Sequence, residues 1–395
     1  MGRSAHCRPT EGAIGSAALG DANRGRTGSA GVAEGIWESP PRRPPRAAGF
    51  LSSGAAPRRR PALNGHLTGP GYRGPDVVSK LRLASPRGYC AGVERAVETV
   101  ERALSLYGSP VYVRKQIVHN SHVVRDLEER GAVFVDELAQ VPRGAIVVFS
   151  AHGVAPAVRA EAEARGLTAI DATCPLVTKV HTQARRYAER GYTIVLIGHA
   201  GHEEVEGTMG EAPRAILLVE SVAEAEALEL ERGPLAYITQ TTLSVDETHD
   251  IVRTLRRRFP WIEGPQKEDI CYATSNRQWA VKELLDEIDL LLVIGSRNSS
   301  NSNRLVEVAR AAGVRAHLVD DETEIDDRWL TGCERVGLTS GASAPEHLVD
   351  RVCNWFRARG VEDIGDLRLA YEDVFFKLPV ELRRAESAAA QPSAA

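Results

Sequence analysis

The sequence lacks the features of a membrane protein, of a secreted disulfide scaffold and of a basic nucleic-acid binder. No apolar run approaches the roughly 20 residues that a helix needs to cross a bilayer. Only six cysteines are scattered through 395 residues, unlike the dense cysteines of small secreted domains. The formal net charge of −4 gives no indication of nucleic-acid binding. We therefore predict a cytoplasmic protein whose partners include neither membrane nor nucleic acid.

Lysine is almost absent from one end of the chain. The first 75 residues contain no lysine but hold 14 glycines, nine prolines and 11 arginines, without hydrophobic periodicity. Such a segment cannot bury enough apolar surface to offset the entropy of ordering it, so we predict a disordered extension over residues 1–77. An organelle-targeting leader is an alternative, since such leaders can be rich in arginine. Arginine exceeds lysine 43 to six in the whole chain, however, and not only in this segment, which favours an extended bacterial reading frame. The tail 385–395 is predicted to be disordered as well.

Short runs of Val, Ile and Leu, such as AIVVF, TIVLIG and DLLLVIG, recur through the rest of the sequence. Runs of this length and composition are typical of strands buried in a parallel sheet. Helical patterns lie between them, so the sequence predicts an α/β fold.

Cys90, Cys174 and Cys271 occupy the same place in a threefold repeat. Each directly precedes a helical pattern, which is followed by a strand-like run and a polar loop. Glycine ends the first two helical patterns where a left-handed cap is expected. The spacing from cysteine to first polar loop is 29, 28 and 28 residues, and the loops contain His119, His202 and Ser299.

A second polar loop follows in each repeat, after a further helix and strand. These second loops contain His152, Thr241 and Ser343. The repeat predicts three similar α/β domains in a pseudo-threefold, trefoil-like arrangement, with bounds 78–172, 173–269 and 270–384. Because ligands bind at the carboxyl ends of strands in open α/β sheets, we expect three cysteines and six polar loops around one central cavity.

A helix start favours thiolate at each of the three cysteines, and three thiolates can hold zinc or an iron–sulfur cluster. Structural zinc normally has a fourth protein ligand and closely spaced ligand pairs, and neither is evident here. Three thiolates on a 4Fe–4S cluster would leave one iron open to a substrate. A zinc-containing phosphate-binding or hydrolase module and a core of unligated cysteines remain the alternatives. Cys7, Cys333 and Cys353 fall outside the repeated position.

The polar loops offer neutral hydrogen-bond donors at strand-to-helix turns, which suit a phosphate-type anion. The candidate donors are His119, His152, His202, Ser299, Ser300, Asn301 and Ser343. The histidines would carry part of a diphosphate's charge if they became protonated on binding. Glu204, beside the similar Glu203, could supply a proton to a leaving oxygen.

Eight sequence blocks resemble one enzyme family, 4-hydroxy-3-methylbut-2-enyl diphosphate reductase. The blocks are PRGYCAGVERAV, IVHN, SAHGV, DATCPLVTKVH, IGHAGHEEVEGTMG, TQTTLSVDET, GSRNSSNSNRL and SGASAPE, and the similarity runs from about residue 79 to 375. The resemblance implies one 4Fe–4S cluster bound by Cys90, Cys174 and Cys271. It implies that the candidate donors above bind a diphosphate, that Glu204 delivers protons, and that Thr241 orients the substrate hydroxyl.

The same resemblance implies the last step of the non-mevalonate isoprenoid pathway. In that step two electrons and two protons remove an allylic hydroxyl, and isopentenyl and dimethylallyl diphosphates form. Reduced ferredoxin or flavodoxin is the implied electron donor. This sequence departs from the family at Glu203, where many members have proline; we expect that change to affect the stiffness of the loop and not the chemistry.

Overall fold

The structure of the protein, a computed structural model, describes residues 78–389. The predicted extension 1–77 and residues 390–395 lie outside the described residues. Up to the second cysteine the elements are β1 (Lys80–Ser85), α1 (Ala91–Tyr107), β2 (Val111–Arg114), α2 (Ser121–Glu129), β3 (Ala132–Val135), β4 (Ile146–Phe149), α3 (Pro156–Ala164) and β5 (Thr168–Asp171). Up to the third they are α4 (Pro175–Glu189), β6 (Thr193–Ile197), α5 (Glu203–Glu211), β7 (Ile216–Val219), α6 (Val222–Ala227), β8 (Leu235–Thr239) and α7 (Val245–Arg258). After it follow α8 (Tyr272–Leu284), β9 (Leu290–Ile294), α9 (Ser300–Ala311), β10 (Arg315–Val319), α10 (Asp327–Leu330), β11 (Arg335–Ser340), α11 (Glu346–Arg357), β12 (Asp363–Arg368) and α12 (Val380–Ala389).

The strands of residues 78–389 form three parallel sheets, with orders β3-β2-β4-β5, β7-β6-β8 and β10-β9-β11-β1-β12. Helices cover the sheets, which is why a central strand such as β9 is buried along its whole length and reads as an unbroken apolar run. The predicted α/β class is confirmed.

Each sheet places its strands in the same way around a central strand. The first strand after a cysteine-capped helix (β2, β6 or β9) is central, the next (β3, β7 or β10) lies on one side, and the third (β4, β8 or β11) lies on the other. Connections therefore leave the central strand in opposite directions, and a crevice opens at the carboxyl ends between the first and third strands. The two polar loops of each repeat begin at that crevice.

The second strand of each repeat departs from the sequence prediction, which had one helix and one strand between the two polar loops. β3, β7 and β10 are only partly buried. β3 (AVFV) and β7 (ILLV) are nonetheless apolar throughout, whereas β10 contains Arg315 and His317.

β1 also departs from the predicted bounds, which put residues 78–90 with the first unit. β1 pairs with β11 and β12 of the third sheet, in a register that sets Leu81 opposite Val336 and Leu83 opposite Leu338. Leu81 is fully buried in the apolar core of that sheet. Burial of these leucines explains why the segment before Cys90 joins a sheet formed some 250 residues later in the chain.

The end of the described chain is helical where an unstructured tail was predicted from residue 385. α12 runs to Ala389, and its Leu382 is fully buried in the core of the first sheet. This contact anchors a segment rich in alanine and glutamate, which favour helix. Among residues 78–389 no helix has the length and apolar character needed to cross a membrane.

Candidate active site

Each of the three cysteines is the N-cap residue of a helix, as the sequence predicts. Cys90 precedes α1, Cys174 precedes α4 and Cys271 precedes α8. The predicted left-handed glycines are present after the first two helices, at Gly108 (φ 75°) and Gly191 (φ 76°). Each thiol therefore lies at the positive end of a helix dipole, an environment that favours its ionised form.

The structure brings every site residue predicted from the sequence to one central cavity. These residues are Cys90, Cys174, Cys271, His119, His152, His202, Glu204, Thr241, Ser299, Ser300, Asn301 and Ser343. Each polar loop leaves the carboxyl end of its strand at the crevice of its own sheet, so the three crevices face a shared space. The three cysteine side chains line the same space.

Gly92 leaves room between two of the thiols. A Cβ atom added to this residue would lie 2.8 Å from Cys174 Sγ and 3.8 Å from Cys90 Sγ. Gly92 is buried within α1, where alanine would stabilise the helix by about 1 kcal/mol. Glycine at this position therefore keeps space open beside the sulfur atoms, at some cost to the helix.

Burial raises the pKa of all three thiols, to about 12 at Cys174 and about 11 at Cys271. Part of the shift at Cys174 comes from the charges of Cys90 and Cys271, and part of that at Cys271 from Cys90. The thiols thus influence one another electrostatically. Ionising them together requires a cationic partner.

His119, His152 and His202 form one ring cluster. The centroids of His119 and His152 are 4.0 Å apart in a stacked pair, and His202 lies edge-on at 5.5 and 5.9 Å. Burial lowers the pKa of His119 to about 3, that of His152 to about 4 and that of His202 to about 3. Repulsion between neighbouring histidines contributes to the shift at His119 and His202. The three rings are therefore neutral near pH 7 unless an anion joins them.

His202 has a defined proton position. Its Nδ1 accepts a hydrogen bond from the backbone N–H of Glu204 at 3.2 Å, which caps α5. Since Nδ1 is the acceptor, the proton of the neutral ring is on Nε2. His202 can therefore donate from Nε2 without becoming charged.

Glu204 is a buried carboxyl group that accepts two hydrogen bonds from Thr241. The backbone N–H of Thr241 donates to Oε1 at 2.6 Å, and its hydroxyl donates to Oε2 at 3.0 Å. Burial raises the pKa of Glu204 to about 7, although both hydrogen bonds from Thr241 oppose the shift. A carboxyl group with this pKa can hold and release a proton near neutral pH.

The third unit supplies hydroxyl and amide groups. Ser299 caps α9, so the free backbone N–H groups of a 12-residue helix begin at the cavity wall. Asn301 accepts a hydrogen bond from the Ala342 N–H at 2.9 Å, and Ser343 donates to the His119 carbonyl at 2.9 Å. These bonds connect the third unit to the histidine cluster.

Sequence reasoning missed two residues next to the cysteines. The Thr274 hydroxyl is 3.2 Å from Cys271 Sγ, and its backbone N–H donates to the same sulfur at 3.4 Å. Arg277 is fully buried, pairs with Glu372 at 3.0 Å, and its charge lowers the pKa of Cys90 against the larger effect of burial. Thr274 was detectable as a hydroxyl three residues after a helix-capping cysteine, whereas Arg277 carried no local signal.

Glu203, for which the sequence predicted an effect on loop stiffness, also contacts a residue of the site. Its Oε2 is 3.0 Å from Nδ1 of His152. His119, His152 and Glu203 each place one ligand atom within 4.8 Å of the others, close enough to hold a metal ion. Because the hydrogen bond already joins His152 to Glu203, we interpret the group as a hydrogen-bonded pair beside His119.

A known protein family matches most of the chain. The family model described as LytB protein matches residues 81–357. The chain belongs to the LytB family. A 4-hydroxy-3-methylbut-2-enyl diphosphate reductase of Acidothermus cellulolyticus is 59% identical over 315 residues, which cover 79% of this chain and 93% of that protein. The protein of the same name from Nocardia farcinica is 56% identical over 310 residues, covering 78% and 92%.

Solved structures of family members share the fold. The E-1-hydroxy-2-methyl-but-2-enyl-4-diphosphate reductase of Plasmodium falciparum is similar with a TM-score of 0.77 and 39% identity, over 80% of this chain and 100% of that one. A structure described as (E)-4-hydroxy-3-methyl-but-2-enyl diphosphate reductase, the terminal enzyme of the non-mevalonate pathway, has a TM-score of 0.52 and 30% identity. The match covers 71% of this chain and 100% of the chain in that structure.

Proposed function

We propose that this chain reduces (E)-4-hydroxy-3-methylbut-2-enyl diphosphate to isopentenyl and dimethylallyl diphosphates, the last step of the non-mevalonate isoprenoid pathway. The observation that carries the proposal is the convergence on one cavity of three helix-capping cysteines, three neutral histidines and a buried carboxyl group. The reaction consumes two electrons and two protons and releases the allylic hydroxyl as water. We propose that the reaction takes place in the cytoplasm, the location predicted from the sequence.

A 4Fe–4S cluster is the group that we propose for Cys90, Cys174 and Cys271. Structural zinc sites usually draw on closely spaced pairs of ligands in the sequence, whereas these three cysteines are 84 and 97 residues apart. The space beside Gly92 and the three thiols at helix starts suit a larger cationic group. When bound, the cluster supplies electrons and an iron position without a protein ligand.

The diphosphate is held by the cavity's hydrogen-bond donors. These are the histidine cluster, the amide of Asn301, the start of α9 and the hydroxyls of Ser299, Ser300 and Ser343. The hydroxyls of Ser300 and Ser343 would turn toward the anion from the carbonyls of Thr242 and His119 to which they donate. In this wall neutral donors and a helix N-terminus balance the anion without a permanent side-chain cation. Binding the diphosphate here fixes the allylic end of the substrate relative to Glu204.

Glu204 supplies the proton that turns the departing hydroxyl into water. A buried carboxyl group with a pKa of about 7 is largely protonated below neutral pH, and water is a better leaving group than hydroxide. The Thr241 hydroxyl, 3.0 Å from Glu204 Oε2, orients the acid and the substrate oxygen. Glu204 and Thr241 are both buried, which limits access of bulk water to these two groups.

Reduced ferredoxin or flavodoxin is the electron donor that we propose, and a basic groove next to Cys174 supports an acidic carrier of this kind. Pro175, adjacent to that cysteine, lines the groove together with one acid, Glu263, and four cations, Lys179, Arg186, Arg190 and Lys267. The groove on the Cys90 side has the opposite character. It is lined by Glu94, Glu98, Glu101, Asp126 and Glu129 against Arg102 and Arg125, so it would repel an acidic partner.

Charge reversal tests the choice of groove. Arg186→Glu with Lys267→Glu, both at exposed positions, should slow turnover driven by reduced ferredoxin and weaken its dependence on salt. Turnover driven by a small chemical reductant should not change. Glu129→Lys in the opposite groove is the matched control. Equal effects of the Arg186→Glu, Lys267→Glu double variant and of Glu129→Lys would contradict the assignment of the basic groove to the electron donor. They would not bear on the proposed reaction.

Anaerobic turnover tests the function itself. The purified protein should be brown, contain about four iron and about four sulfide per chain, and convert the hydroxylated diphosphate with a chemical reductant into the two product diphosphates. A colourless protein holding one zinc and giving neither product would instead favour the zinc-containing alternative.

A further inference from the structure

Glu203 and His152 form a pair inside the histidine cluster. Glu203 is the first residue of α5, and its Oε2 lies 3.0 Å from His152 Nδ1 and 3.5 Å from the Ser150 hydroxyl. The two side chains of the pair are 20% and 15% exposed. In its ionised form Glu203 has no proton to donate, so it accepts from the Nδ1–H of His152.

This contact gives His152 the opposite tautomer to His202. With Nδ1–H bound to Glu203, Nε2 is the nitrogen left for a ligand, and in a neutral ring it can only accept. The oxygens of a diphosphate are acceptors as well. His202, whose Nδ1 accepts from the backbone, meets no such conflict.

The remaining charges around the pair do not remove this conflict. The charged and titratable groups that act on Glu203 are His119, His202, Lys115 and Arg114, and they oppose the rise that burial causes in its pKa. His119 stacks on His152, and its Nδ1 lies near the side chains of Gln116 and Asn298. None of these groups supplies His152 with a donor at Nε2.

We propose that Glu203 is a positioning residue that holds the proton of His152 on Nδ1, so that capture of a diphosphate by His152 requires uptake of a second proton. The carboxylate then balances the imidazolium that binds the anion. Proline at this position would lack this acceptor and would leave neutral His152 free to place its proton on Nε2. The inference rests on the diphosphate-binding part of the proposed function.

Calorimetric titration with inorganic pyrophosphate tests this role on the cluster-loaded holoenzyme under anaerobic conditions. Titrations in buffers of different ionisation enthalpy count the protons taken up per bound anion. The wild type should take up about one proton more than Glu203→Pro, and its affinity should fall about tenfold more per pH unit in the range where the pair titrates. Protons that belong to pyrophosphate itself cancel in this difference.

Two further variants complete the design. Glu203→Gln removes the charge and offers an amide N–H that can donate to Nδ1, which leaves the proton of neutral His152 on Nε2, so it should lose most of the extra proton. Proline is tolerated at the first position of a helix, so Glu203→Pro should fold. Glu206→Gln removes an exposed acid from the same first turn of α5 and should match the wild type.

Equal proton uptake by the wild type, Glu203→Pro and Glu203→Gln would overturn the inference while leaving the proposed function intact. So would an equal change in Glu206→Gln, which would indicate a general charge effect. Loss of pyrophosphate binding after chelator treatment, with recovery on adding zinc, would show instead that His152 and Glu203 hold a metal ion. If neither the wild type nor any variant bound pyrophosphate, both this inference and the proposed diphosphate-binding site would be wrong.

Discussion

Replacing Thr241 by valine should move the pH dependence of turnover upward. The Thr241 hydroxyl donates to Glu204 Oε2 at 3.0 Å and lowers the pKa of that carboxyl. A hydrogen bond to a charged group contributes about 1.5–3 kcal/mol, which corresponds to about one to two pKa units. The backbone N–H of Thr241 still donates to Oε1 in the variant. Loss of the hydroxyl alone should raise the pKa of Glu204, and with it the midpoint of the pH dependence of turnover, from about 7 to about 8–9.

The sign follows from the role of the protonated form. Turnover needs Glu204 with its proton, so the rate is full below the pKa and falls tenfold per unit above it. At pH 9 the wild type should keep about 1% of its low-pH rate. Thr241→Val should keep about 10–50% of its own low-pH rate, whatever that rate is after loss of the hydroxyl.

The assay is anaerobic turnover at saturating substrate, driven by a chemical reductant, from pH 5.5 to 9.5. Thr242→Val is the matched control, because the Thr242 hydroxyl accepts from Gln240 at 3.0 Å although the residue lines the same cavity. Its midpoint should stay near that of the wild type. An unchanged or lowered midpoint in Thr241→Val would refute the assignment of the titrating acid to Glu204.

Three further results are expected. Glu204→Gln should retain the brown colour and lose about 10²–10⁴-fold in turnover, and a rate within a few-fold of wild type would contradict its role as proton donor. Gly92→Ala should lower the iron and sulfide content, because the added Cβ would lie 2.8 Å from Cys174 Sγ, whereas Gly233→Ala, which meets no atom within 4 Å, should load normally. Cys174→Ser should lose the colour under anaerobic purification, Cys333→Ser should retain it, and a brown Cys174→Ser protein would exclude that thiol as a ligand.

The site was largely predictable because its residues sit at fixed points of a repeated unit. A cysteine before a helix and a polar loop after a strand are local signals, and parallel sheets bring such points to one edge. The three crevices could therefore be placed around one cavity without knowing the angles between the sheets. Spacing alone did not decide between metals, and the choice of a cluster came from the family resemblance.

What could not be predicted depends on distant or side-chain contacts. The pairing of β1 with β11 involves residues far apart in the chain, and Leu81 would fit several cores equally well. Arg277 reads as an ordinary helix residue, although it is fully buried beside Glu372. Glu203 differs from Glu204 by one position, but the turn into α5 directs one carboxylate to His152 and the other to Thr241.

The cysteines stand where the chain passes from one sheet to the next. Cys90 links β1 of the third sheet to α1 on the first, Cys174 links β5 to α4 on the second, and Cys271 links the second unit to α8 on the third. A group bonded to all three sulfurs would therefore cross-link the crossovers themselves. Its removal should loosen all three junctions at once, so that protease sensitivity and amide exchange rise together at sites far apart in sequence.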